Sequence, residues 1–171
     1  MKIYLVLIAL AMLCMPAFGQ TTSKDWLERG NDLFNETKYD EAIKAYDEAI
    51  KIDPLFAEAW AHKGFALYSS GQPNEAIQYY DQAIKLDSKY AWAWNKKAQA
   101  LDGQGKYDEA ANAYDEALKI DSNYSWAWND KGWTLTNQGK YDDAINVYDE
   151  ALTRDPNHAW AWNNKGVAYY G

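Results

Sequence analysis

The segment Ala91-Trp92-Ala93-Trp94-Asn95 decides the fold, because it returns almost unchanged further along the chain. Its later copies begin at Ser125 and Ala159, each 34 residues after the one before, and read Ser-Trp-Ala-Trp-Asn and Ala-Trp-Ala-Trp-Asn. A second segment, Tyr107-Asp108-Glu109-Ala110, has counterparts with the same period at 39–42, 73–76 and 141–144. A fixed period of this length is typical of proteins built from stacked structural repeats.

The repeat divides the chain into units of equal length. Four complete units run over 23–56, 57–90, 91–124 and 125–158, and a partial fifth unit covers 159–171. In each complete unit, two segments with helical periodicity flank a short break that holds Gly71, Gly105 or Gly139 in the last three units and Thr37 in the first. Residues 20–22 form a short linker before the first unit.

Small and aromatic residues recur at fixed positions of the unit. The eighth position is Gly or Ala and the twentieth is always Ala, which predicts that the two helices of a unit approach closely at these two positions. Aromatic residues at the fourth and twenty-fourth positions lie at helical spacing and predict the apolar faces. They are Trp26, Trp60, Trp94, Trp128 and Trp162, and Tyr46, Tyr80, Tyr114 and Tyr148.

This pattern resembles the tetratricopeptide repeat family over residues 23–171. The resemblance implies an all-α fold, a right-handed α-solenoid of stacked helix-turn-helix repeats. It also implies that positions 2, 5, 9 and 12 of each unit face a concave groove that binds an extended peptide. The candidate groove residues are Trp92, Asn95, Gln99, Trp126, Asn129, Trp133, Trp160 and Asn163.

Two interpretations of the position-2 tryptophans Trp92, Trp126 and Trp160 remain open at the level of sequence. In one, they face the groove and bury a ligand side chain or stack on a sugar, beside asparagines that hydrogen-bond a peptide backbone. In the other, they pack against the preceding second helix, as aromatic columns often do.

Position 7 departs from the family pattern, which has Leu there. This chain has Arg29, Lys63, Lys97, Lys131 and Lys165. We interpret them as a structural ladder rather than an anion site, with packed stems and charged heads that pair with Asp47, Asp81, Asp115 and Asp149.

The first nineteen residues have the three-part layout of a secretory signal peptide. Lys2 precedes an apolar run from Ile3 to Met15, and Ala17 and Gly19 stand at a cleavage-like spacing. We therefore predict cleavage after Gly19 and a secreted or cell-envelope location, with an uncleaved membrane anchor as the alternative. Lipid attachment at Cys14 is disfavoured because Leu13 precedes it.

Several function classes are not expected. The net charge of −8 and the lack of a basic run argue against nucleic-acid binding. The two histidines, His62 and His158, are 96 residues apart, so we expect no metal site, and no sequence motif indicates a cofactor or a catalytic group. We therefore expect a protein that is not an enzyme. Some members of the family bind a C-terminal carboxylate with a clamp of basic and asparagine residues. Of the positions that form this clamp, only Asn31 and Lys96 carry a matching residue here, so binding of chaperone tails is not expected.

The partial fifth unit carries apolar residues that packing on the fourth unit covers only in part, among them Trp162, Tyr169 and Tyr170. We expect either that the natural chain continues beyond Gly171 or that two chains associate end to end.

The function expected from the sequence is that of an exported scaffold, which binds a partner protein or peptide in its groove. The alternatives are a module that binds envelope glycans through its tryptophans, and a fragment of a larger repeat protein.

Overall fold

The computed structural model describes residues 21–171, which form nine α-helices and no strand. The predicted signal peptide, residues 1–19, lies outside this range. First helices of the units are α1 (Ser23–Asn35), α3 (Ala57–Ser69), α5 (Ala91–Asp102), α7 (Ser125–Asn137) and α9 (Ala159–Tyr169). Second helices are α2 (Tyr39–Ile52), α4 (Pro73–Leu86), α6 (Tyr107–Ile120) and α8 (Tyr141–Arg154). Each first helix begins where its 34-residue unit begins.

The helices pack as a solenoid of antiparallel pairs. Each first helix packs on its own second helix, and each second helix packs on the next first helix. First helices also contact one another directly, so that they form one continuous layer along the molecule. The expected all-α solenoid is therefore confirmed. We call the surface of this layer the first-helix face.

The ends of the helices follow from residues that repeat. Gly71 has a φ of 87° after α3, and Thr37 adopts a φ of 60° at the equivalent place after α1. The second helices end at an aspartate whose Oδ1 accepts a hydrogen bond from the backbone N–H two residues later, at 3.0 Å for Asp53 and 2.9 Å for Asp87. This short turn directs the chain into the next unit.

The core of each unit is built around the tyrosine at its twenty-fourth position. Tyr46, Tyr80, Tyr114 and Tyr148 are almost completely buried. The close approach predicted at position 8 is confirmed, but its main cause is different from the one expected. A Cβ at Gly30 would lie 2.4 Å from Tyr46 and one at Gly132 would lie 2.5 Å from Tyr148, so the tyrosine ring, rather than the alanine at position 20, occupies the space.

The position-4 tryptophans join each unit to the one before it. The indole Nε1–H of Trp60 donates to the carbonyl oxygen of Pro54 at 3.0 Å, and that of Trp128 donates to the carbonyl oxygen of Ser122 at 3.0 Å. Trp94 and Trp162 make the same bond to Ser88 and Pro156. The hydrogen bond fixes each first helix against the loop that precedes it.

The position-7 ladder is confirmed for its four lysines, whereas the guanidinium of Arg29 lies over the ring of Trp26, 5.8 Å from its centroid. Lys63 pairs with Asp47 at 2.5 Å, Lys97 with Asp81 at 2.6 Å and Lys131 with Asp115 at 2.5 Å. Lys165 makes the equivalent pair with Asp149. Each pair connects the first helix of one unit to the second helix of the preceding unit, and the lysine stems are largely buried.

The last helix leaves apolar side chains uncovered, as the sequence predicts. Trp160, Trp162, Val167, Tyr169 and Tyr170 of the fifth unit are all exposed. Among the residues that the structure describes, none of the helices has both the length and the apolar character needed to cross a bilayer.

Candidate functional site

The eight candidate groove residues all lie on α5, α7 and α9, in the first-helix layer. The structure divides them into two regions that differ in exposure. The first surrounds Trp92 on α5, and the second surrounds Trp126 and Trp133 on α7 and Trp160 on α9.

The region around Trp92 is closed by aromatic packing. The rings of Trp92 and His62 stack with centroids 4.9 Å apart, and the edge of Phe65 meets Trp92 at 5.6 Å. The Lys96 ammonium lies over these rings, 4.8 Å from the centroid of Phe65 and 5.7 Å from that of Trp92. The ring of Tyr90 also stacks on Trp92, with centroids 5.9 Å apart. We call these five residues the closed region. Here Trp92 packs, as one interpretation expects, but the rings of His62 and Phe65 that cover it belong to the preceding first helix, α3, and not to the preceding second helix.

The tryptophans of the next two units are open to solvent. Trp126 is 51% exposed, Trp133 42% and Trp160 63%. Together with Asn129, Asp130 and Asn164 they line a hollow of about 270 Å³ between α7 and α9. We call these six residues the open region. Position 2 is thus exposed to solvent in these two units.

The predicted column of accessible asparagines requires correction. Asn95 is only 1% exposed, and its Nδ2 reaches the Tyr124 hydroxyl at 3.5 Å. Asn129 is 5% exposed and is engaged by its neighbours, so it forms the floor of the open region rather than a free row of amides. Position 5 faces the neighbouring first helix in these units, which buries the side chain. Only Asn163, in the last helix, is exposed.

Hydrogen bonds link the two regions through polar side chains. Lys96 Nζ donates to Gln99 Oε1 at 3.0 Å, and Gln99 Nε2 donates to Asp130 Oδ2 at 2.6 Å. Asn129 Nδ2 donates to Asp130 Oδ1 at 3.2 Å, and Asn164 Nδ2 donates to Asn129 Oδ1 at 3.1 Å. Gln99, a predicted groove residue, thus connects α5 to α7.

The sequence interpretation missed Asp130 and Asn164, which occupy position 6 of their units. A signal was present, because Asp130 stands four residues after Trp126 and three before Trp133, so all three share one face of α7. Asn164 stands four residues after Trp160 in the same way. The rule that residues three or four positions apart share a helix face therefore identifies both residues from the positions of the tryptophans.

The charged groups of this surface are partly desolvated. Burial raises the pKa of the Asp130 carboxyl, and the hydrogen bonds from Gln99 and Asn129 and the charge of Lys96 offset this only in part. Burial also raises the pKa of Asp102, at the end of α5, and the negative charge of Asp130 adds to that effect. The pKa of Lys96 is lowered, mainly by burial, although Asp130 opposes the change.

The described residues contain no group of three His, Cys, Asp or Glu side chains that is placed to hold a metal ion. His62 stacks on Trp92, whereas His158 caps α9 by accepting a hydrogen bond from the Ala161 backbone N–H at 3.3 Å. Both histidines therefore have structural contacts. The arrangement on the first-helix face is suited to binding, through exposed indoles and a polar floor.

Comparisons with known proteins agree with this architecture. Family models described as "Tetratricopeptide repeat" match residues 27–91, 63–125 and 113–146, and one described as "TPR repeat" matches residues 132–171. A search of curated protein sequences gave no significant match.

Solved structures with this fold include two crystal structures of MamA. One is 25% identical with a TM-score of 0.75 and covers 88% of this chain and 82% of that one. The other is 27% identical with a TM-score of 0.74 and covers 83% of each chain. YrrB, described as a TPR protein with an unusual peptide-binding site, is 23% identical with a TM-score of 0.68, over 85% of this chain and 75% of its own. At that identity YrrB supports the fold alone.

Proposed function

Because the chain belongs to the tetratricopeptide repeat family, we propose that it is a non-enzymatic scaffold whose open region binds an extended segment of a partner protein. Scaffolding of protein partners is the general role of such solenoids. We assign this role to the open region on α7 and α9, and the solved structure of YrrB offers a precedent for a peptide site on this fold.

The observation that carries the proposal is the exposure of three tryptophans around one hollow. A large exposed indole costs solubility, and tryptophan is the residue most enriched among binding hot spots. Trp126, Trp133 and Trp160 therefore provide apolar anchors, above a polar floor formed by Asn129, Asp130 and Asn164.

The test is a selection of random peptides on the purified protein, followed by titration of the selected peptide against two variants. Trp126→Ala should weaken binding by about 1–3 kcal/mol, a hot-spot-sized loss. Leu55→Ala is the matched control, because Leu55 is an exposed apolar residue in the loop between α2 and α3, and it should leave the affinity unchanged.

Two results would contradict the proposal. One is that both variants bind the selected peptide as tightly as the unchanged protein does, which would place the site elsewhere. The other is that no peptide is selected while cell-wall oligosaccharides bind and lose affinity in Trp126→Ala. That result would favour the glycan-binding alternative, in which the indoles stack on sugar rings.

We further propose that the partner is met outside the cytoplasm, on the basis of residues 1–19. N-terminal sequencing of the protein from its native host should find Gln20 as the first residue. An intact Met1 would overturn this part of the proposal. The binding site itself does not depend on the outcome.

A further inference from the structure

We propose that the open region selects a positively charged side chain, lysine or arginine, in the bound segment, which it holds between the exposed indoles and the Asp130 carboxylate. The proposal rests on the function proposed above and specifies the chemistry of the ligand. It follows from an internal comparison within the first-helix face.

The closed region already holds a cation of the chain itself. The Lys96 ammonium lies over the rings of Phe65 and Trp92, at 4.8 and 5.7 Å from their centroids. These distances are within the range for cation–π attraction, which strengthens when the cation is shielded from water. Aromatic rings of the first-helix face therefore bind a lysine head in one place.

The open region offers the same chemistry without such a head. Its lining consists of three indoles, two asparagines and one carboxylate, so among the described residues none of its lining side chains is basic. Trp126 and Trp160 are each more than half exposed, and Asp130 lies on the same helical stripe as Trp126 and Trp133. A ligand cation would find ring faces and a carboxylate together.

Negative charge on this surface exceeds its positive charge. The negative charge of Asp130 raises the pKa of Asp102, whereas among the described residues Lys96 is the one basic group that lowers the pKa of Asp130. The head of Lys96 donates to Gln99, which in turn donates to Asp130, so Lys96 reaches the carboxylate through an amide rather than by direct contact. In addition, Oδ1 of Asp102 is buried and has no hydrogen-bond partner among the described residues.

A second cation would therefore relieve an unfavourable arrangement. Both carboxyls have raised pKa values, chiefly because burial disfavours their charged forms. A ligand ammonium or guanidinium that enters the hollow brings an opposite charge to the Asp130 carboxylate, which Lys96 reaches only through Gln99. An acidic or neutral side chain in the same place gains no such attraction, and an acidic one is repelled.

The experiment uses capped nonapeptides of alternating alanine and serine whose central residue is lysine, arginine, norleucine or glutamate. Binding to the full chain is followed through the indole ¹H–¹⁵N NMR resonances of the tryptophans. We expect the lysine and arginine peptides to bind about tenfold tighter than the norleucine peptide, and the glutamate peptide to bind most weakly. The shifts should occur at Trp126, Trp133 and Trp160.

Variants then identify the carboxylate. Asp130→Asn should reduce the preference for lysine over norleucine to less than about threefold. That preference is what cation–π attraction alone would give once the carboxylate is removed. Asp142→Asn makes the same charge change at an exposed position of α8, and should preserve the full preference. The series of peptides on the unchanged protein tests the proposal by itself, even where Asp130→Asn does not fold.

The outcomes separate this inference from the proposed function. Equal binding of all four nonapeptides, or tightest binding of the glutamate peptide, would overturn the cation inference and leave peptide binding in place. The same holds if a library-selected peptide binds the open region but no nonapeptide does. Failure of every peptide, selected or designed, would overturn both.

Discussion

The closed and open regions contain the same repeated residue in different surroundings. Trp92 and Trp126 both occupy position 2 of their units, yet Trp92 packs on the rings of His62 and Phe65, whereas Trp126 contacts the ring of His158 and stays half exposed. The neighbours come from the preceding unit: Trp92 meets His62 and Phe65, at positions 6 and 9. Trp126 has Lys96 and Gln99 at those positions. The exposure of a repeated residue is thus decided by the unit before it.

The largest expected difference between the two regions is in stability. Trp92→Ala removes an indole that packs on two other rings, so the free energy of unfolding should fall by about 2–4 kcal/mol. Trp126→Ala removes a half-exposed side chain and should cost about 1 kcal/mol or less, mainly through its contact with His158. Urea unfolding of both variants measures the difference. Equal losses would show that both tryptophans are structural.

The second expectation concerns the pH dependence of binding at the open region. Since the pKa of Asp130 is raised, its carboxylate takes up a proton at a higher pH than an ordinary aspartate, whose pKa is near 3.9. A cationic ligand favours the ionised form, so affinity for the lysine nonapeptide should be constant above the raised pKa and fall as the pH drops through it. The loss should reach about tenfold, while the norleucine peptide binds with little pH dependence.

The norleucine peptide is the necessary control because other ionisable groups surround Asp130. They are Lys96 and Asp102 on α5, Tyr114 on α6, Tyr124 before α7, Tyr148 on α8 and His158 before α9. A general change in the fold on acidification would weaken both peptides together. An equal loss for both would contradict the role of Asp130.

A third variant should convert the open region into a closed one. Gln99→Phe gives the third unit the same position-9 residue as the second unit, in which Phe65 packs beside Trp92. The new phenyl ring should pack on Trp126 and reduce its exposure. The new aromatic pair is worth about 1 kcal/mol, and peptide affinity should fall by a comparable amount. Acrylamide should quench the tryptophan fluorescence of Gln99→Phe less than that of the unchanged protein. When Trp126→Phe is present in both proteins, Gln99→Phe should cause no such decrease. Unchanged quenching would show that position 9 does not control exposure.

The smallest effects are expected where the two regions are alike. The ladder pairs Lys97–Asp81 and Lys131–Asp115 have nearly the same length and a similar partial exposure, one beside each region. Lys97→Met and Lys131→Met should each lower the free energy of unfolding by less than about 1 kcal/mol, and by equal amounts. Unequal losses in thermal or urea unfolding would mean that the regions differ in the scaffold as well as on the first-helix face.

The sequence was sufficient for the scaffold because each of its features is repeated. The helix ends at Gly71 and Asp53, the tyrosine core and the Lys–Asp ladder recur in several units, and each recurrence supports the others. The binding surface depends on residues that differ between units, and no period indicates them. The burial of Asn95 and the placement of Asp130 follow from how neighbouring first helices meet, which the repeat alone does not specify.

The indole-to-carbonyl bonds between successive units have a mechanical consequence. Every joint in the solenoid is fastened by the same two elements, a Trp–carbonyl hydrogen bond and a Lys–Asp pair, with nearly the same geometry. We therefore expect a partner that forces the first-helix face to widen to load the same pair of contacts at each joint, so that resistance to bending is shared along the solenoid.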